Sequence, residues 1–114
     1  MKINYNNRKF KPKTTSDNSQ TSSATVFRYS QEGEIVSAEY HGGQIRVGHL
    51  LGKVDNEGHI SMVYHHIDLS GNLNTGRCNS KPVVLSDGRI ELHESWEWTS
   101  GDLSSGESVI EEIE

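Results

Sequence analysis

Turn signals cut this chain at short and nearly even intervals, and that rhythm limits the fold more than any other feature. They fall at Gln31-Glu32-Gly33, His41-Gly42-Gly43, Asp55-Asn56-Glu57-Gly58, Ser70-Gly71-Asn72, Ser86-Asp87-Gly88 and Ser100-Gly101-Asp102. The runs between them alternate in polarity or carry β-branched and aromatic residues. They read as strands near 3–10, 24–30, 34–41, 44–54, 59–68, 73–80, 89–99 and 107–113. The links are too short for parallel crossovers, so sequence neighbours are expected to pair as antiparallel hairpins. The predicted fold class is all-β: an up-and-down antiparallel meander of about eight strands, closed or nearly closed into a lipocalin-like barrel. No segment holds a helical period for long, although Val109, Ile110 and Ile113 fit a helical turn almost as well as a strand.

Composition agrees. Hydrophobic residues make up 32% of 114 residues, which suits strands with one wet face better than buried helices. Residues 1–114 read as a single domain. Residues 11–23 contain one proline and are otherwise polar, and read as a flexible loop, while 111–114 read as an acidic tail.

The formal net charge of −5 argues against nucleic acid or an anionic membrane as partner. No apolar run is long enough to span a bilayer, and residues 1–10 lack the apolar middle of a signal peptide. The expectation is a cytoplasmic protein. Cys78 stands alone, so no internal disulfide can form, and it reads as a small strand residue rather than a nucleophile.

The 89–99 run is the most informative. Ile90, Leu92, Glu94, Trp96 and Trp98 share one face, an apolar stripe with a carboxylate in its middle. A two-residue turn at Asp87-Gly88 would set Lys81 opposite Glu94 and Arg77 opposite Trp98, giving Glu94 a cationic neighbour and Trp98 a guanidinium to stack on. Pro82 leaves room for a shift of one residue. The turn at Asp55-Asn56-Glu57-Gly58 fits either a two- or a three-residue loop. In either case Ile60, Met62, Tyr64 and His66 lie together, as do Ile45, Val47, His49 and Leu51. Both stripes suit a barrel interior with a few polar groups.

Arg77, Glu94, Trp96, Trp98, Tyr64 and His66 are therefore the candidate ligand-binding residues of a non-catalytic barrel holding a small molecule. The alternative is a barrel filled by its own side chains, acting as a structural or oligomeric interaction protein, and a homo-oligomer is open under both readings. No metal is expected: the six histidines show no zinc-ligand spacing, and His65 and His66 point to opposite faces. No cofactor motif or Gly-x-Ser-x-Gly elbow is present.

The runs Ile3-Asn4-Tyr5-Asn6-Asn7, Tyr64-His65-His66, Thr75-Gly76-Arg77-Cys78-Asn79-Ser80 and Leu92-His93-Glu94-Ser95-Trp96-Glu97-Trp98-Thr99-Ser100-Gly101-Asp102 resemble a family of small bacterial proteins. Members of that family often carry the name N-acetylglutamate synthase, which implies acetyl transfer from acetyl-coenzyme A. The residues disfavour that activity. The nearest stretch to an acetyl-coenzyme A loop, Gln44-Ile45-Arg46-Val47-Gly48-His49, has the wrong spacing and lies in a predicted strand. The strand pattern is also similar to lipocalin and other calycin-like barrels, without their Gly-x-Trp signature on the first strand.

Overall fold

A computed structural model describes residues 3–113. It is an all-β barrel of eight strands: β1 (Arg8–Thr15), β2 (Val26–Glu32), β3 (Ile35–Gly42), β4 (Ile45–Val54), β5 (Ile60–Asp68), β6 (Leu73–Val84), β7 (Ile90–Trp98) and β8 (Ser105–Ile113). Each strand pairs antiparallel with the next, and β8 returns to pair with β1 and close the barrel.

Three hairpins share one turn. In each, the N–H of the residue before the loop bonds to the carbonyl four residues on, at Asp55/His59, Asp68/Asn72 and Leu85/Arg89. The glycine closing the last of these, Gly88, has φ of 89°, the left-handed conformation that ends a three-residue loop. Asp55 and Asp68 reinforce their own turns, each accepting two backbone N–H bonds through Oδ1.

The third loop residue at 86–88 corrects the register expected for β6 and β7. Val84, not Leu85, faces Ile90, so Ser80 faces Glu94, Cys78 faces Trp96 and Gly76 faces Trp98. A shift of one residue moves every side chain to the other face. Arg77 and Lys81 accordingly leave the interior for the outer wall, where both are exposed.

Other elements differ too. β1 runs on to Thr15, so the connecting loop is 16–25 rather than 11–23. Glu111 and Glu112 belong to β8 instead of a tail, and Glu114 lies outside the described residues. On β4 a register irregularity between Ile45 and Val47 splits the expected stripe. Ile45 is buried, while Val47, His49 and Leu51 face out.

The barrel has two unlike halves. Toward the end where β1 starts and β8 stops, Phe10, Val36, Ile60, Ile90, Leu92 and Ile110 pack solidly and are all but inaccessible. Each stabilises the fold by roughly 1.5–3 kcal/mol through burial. Tyr5, completely buried, stoppers this end, donating from its hydroxyl to the Gly58 carbonyl at 2.6 Å. The opposite half is built from aromatic rings, glycines and polar groups.

Candidate functional site

Three strands of the open half place a glycine on the inner wall where a neighbouring strand carries a ring. Gly48 faces Tyr40, Gly76 faces Tyr64 and Gly106 faces Trp96. A Cβ on Gly76 would lie 2.2 Å from Tyr64 Cζ, and one on Gly106 2.5 Å from Trp96 Cζ2. Each ring therefore lies over its glycine, and Tyr40 also stacks on Phe27, 4.8 Å between centroids. Space remains between them: a cavity of about 50 Å³ whose walls include Tyr64, His66, Cys78, Glu94, Trp96 and Trp98. Trp98 is central, in edge contact with Tyr64 (5.8 Å between centroids), Trp96 (5.7 Å) and His66 (5.6 Å).

Glu94 forms part of the cavity wall, between Ser80 on β6 and Ser108 on β8. Ser80 Oγ donates to its Oε2 at 2.9 Å. Ser108 is engaged elsewhere, accepting from Trp96 Nε1 at 2.9 Å and bonding Thr15 Oγ1 at 2.7 Å. Loss of solvent around the half-buried Glu94 carboxyl, with no cationic partner among the described residues, pushes its pKa up to about 7. Burial likewise pushes the Cys78 thiol far above its ordinary range, so it is not a thiolate nucleophile. The Tyr29 hydroxyl is buried with no hydrogen-bond partner, and that burial, with the Glu94 charge second, raises its pKa well above the ordinary range.

The mouth is roofed by the 16–25 loop. Gln20 reaches down so that its Oε1 meets His66 Nε2 at 2.7 Å and accepts from Asn74 Nδ2 at 2.8 Å, while its Nε2 donates to Asp68 Oδ2 at 3.0 Å. The opposite amide orientation would oppose two donors and two acceptors, so the network fixes it. His66 then carries its proton on Nε2 and accepts from the Tyr40 hydroxyl at Nδ1, 2.9 Å away. Burial lowers the His66 pKa to about 4, so the ring is neutral at pH 7. Hydrogen bonds from Gln20, Asn72 and Asn74 hold Asp68 ionised, with its pKa lowered to about 2. Trp98 Nε1 donates to the Asn18 carbonyl at 3.1 Å, and Asn18 Nδ2 donates to Ser104 Oγ and the Ser105 carbonyl. The roof is thus tied by polar bonds along its length.

Of the residues singled out from the sequence, Tyr64, His66, Glu94, Trp96 and Trp98 surround the cavity. Arg77 does not: its Nε pairs with Glu97 Oε1 on the outer wall. Sequence reasoning missed Gln20, Asn74, Tyr40 and the wall glycines. The glycines had a usable signal, since each occupies an inward position of a strand with no turn to require it. Among the described residues no group of three His, Cys, Asp or Glu is placed to hold a metal, and no helix is present whose N-terminus could hold a pyrophosphate.

A closed eight-stranded antiparallel barrel of calycin-like pattern belongs to a class whose members are either filled by their own side chains or hold one small ligand. Within that class the chain is narrower in kinship: residues 3–113 match the family described as Avidin-like protein, and the chain belongs to it. No curated protein matches the chain.

Proposed function

We propose that this protein is a non-catalytic binding module that holds a small molecule in the open half of the barrel, beneath the 16–25 loop. The observation that carries this reading is the cavity itself, with a half-buried carboxylate, walls that include Tyr64, Trp96 and Trp98, and a loop above it held by polar bonds. Such a combination of apolar walls and few convergent polar groups is characteristic of ligand sites. Membership in an avidin-like family supports it. With Gln20 in place the space suits only a very small ligand, so a larger one must lift the loop.

Native mass spectrometry of the protein as purified from cells tests the reading, with biotin added as the first probe the family name suggests. A reproducible extra mass that is lost in a Trp98→Ala, Glu94→Gln double variant supports it. Bare protein under both conditions, together with no effect of any added small molecule on tryptophan emission, counts against it.

A second reading, self-association, rests on a separate observation. Ile35, Val47, Leu51 and Val63 are each about half exposed on the outer faces of β3, β4 and β5. Leu51 and Val63 are direct cross-strand neighbours, with Glu39 near one flank and Arg77 on the other. A two-fold axis along the β4/β5 seam would lay one copy's Arg77 flank over the other's Glu39 flank, so the occupant proposed is a second copy of this chain.

A further inference from the structure

Building on the small-molecule reading above, we infer that the cavity selects a small organic cation, an alkylammonium ion, over neutral or anionic molecules of the same shape.

Three features converge on this. Among the described residues Glu94 has no counter-ion in the barrel: its hydrogen-bond partner is the neutral Ser80 hydroxyl, no described lysine or arginine lines the cavity, and Arg77 and Lys81 stand on the outer wall. Aromatic rings surround it: Tyr64 lies over Gly76 and Trp96 over Gly106, and both rings line the space together with Trp98. Aromatic faces attract cations through their quadrupole, most strongly where water is excluded. At the entrance the Asp68 carboxylate is held ionised, giving a negative mouth on a chain of net charge −5. That field favours the approach of cations over anions.

A cation also changes the state of the site. The empty cavity favours a protonated Glu94, whereas a bound ammonium favours the carboxylate. The groups near Glu94 are Cys78 on β6, Tyr29 on β2, Tyr40 on β3, and Tyr64 and His66 on β5. The thiol and phenols stay neutral far above pH 8, and His66 is neutral above about pH 4. Between pH 6 and 8 Glu94 is therefore the interior group that changes charge.

The test uses choline chloride and its uncharged carbon analogue, 3,3-dimethyl-1-butanol, at constant ionic strength. Binding is read by calorimetry and by emission of Trp96 and Trp98. Choline is expected to bind at least ten-fold more tightly than the alcohol at pH 8. Its affinity is expected to fall about ten-fold on going to pH 6, following the ionised fraction of Glu94, while the alcohol changes little. Glu94→Gln is expected to abolish the preference, and Arg77→Ala, on the outer wall, to leave both affinities unchanged. The wild-type pH series stands by itself if Glu94→Gln fails to fold. If the alcohol binds as tightly as choline, cation selection is wrong and the binding-module reading stands. If neither probe binds, cation selection is again wrong, and the mass spectrum of the purified protein decides whether the barrel holds something else.

Discussion

Glu94 and His66 share one cavity, and burial displaces their protonation in opposite directions. Glu94, at about 7, keeps in the folded state a proton that the unfolded chain releases near pH 4.5, so its contribution to stability declines as pH rises from 4.5 to 7. His66, at about 4, refuses a proton that the unfolded chain takes up below pH 6.5, so its contribution declines as pH falls from 6.5 to 4. Between pH 4.5 and 6.5 the two slopes oppose each other. Wild-type stability is expected to be nearly flat there, while Glu94→Gln loses stability steadily toward pH 4.5. Above pH 7 the variant should exceed wild type by up to about 3 kcal/mol. Urea unfolding across pH 4.5–8 measures both effects, and parallel curves for the two proteins would refute the assignment. Gly76→Ala makes a second residue-scale case, because its Cβ would enter the Tyr64 ring. It should cost roughly 1–3 kcal/mol, and a large part should return when Tyr64→Ala is added.

At the scale of elements, loop length rules the register. Two of the three glycine-ended loops, at 55–59 and 85–89, share a turn but differ in surroundings: a Cβ on Gly88 meets nothing within 4 Å, whereas one on Gly58 lies 2.8 Å from Ile3 Cδ1. Gly88→Ala should cost about 1 kcal/mol of backbone strain alone, and Gly58→Ala visibly more, by thermal unfolding. The roof obeys a different logic, being held by side-chain hydrogen bonds with no apolar anchor inside Ser16–Ser23. Gln20→Ala is expected to speed amide hydrogen exchange in residues 16–25 while leaving β5 and β6 protected, and exchange that stays slow there would show the loop to be fixed by other means. Strand number, order and the inward set of β5 and β7 were legible in the sequence because alternation and turn residues are local signals. Facing of Arg77 was not. It hung on one residue in the Ser86-Asp87-Gly88 loop, and Asp-Gly suits loops of both lengths. Gln20 was illegible for another reason: a polar amide becomes a roof only when distant strands bring His66, Asp68 and Asn74 beneath it.

For the whole molecule, closure by the β1/β8 pair gives every strand two neighbours, with only the β1/β2 ladder short, so association is expected to use faces. If the Leu51/Val63 face is the contact, Leu51→Lys with Val63→Lys should convert a dimer to a monomer in native mass spectrometry, with circular dichroism unchanged. A wild-type monomer would exclude the dimer outright. Closure also fixes where the chain enters and leaves. Lys9 pairs with Ile113, so residues 3–7 and the end of β8 emerge together at the end stoppered by Tyr5. The mouth lies at the other end of a body about 40 Å long. A tether to a sensor chip, a fused reporter or a linker to a tandem copy would therefore attach on the far side from the roof. Such immobilised or concatenated forms should keep every opening clear for titration.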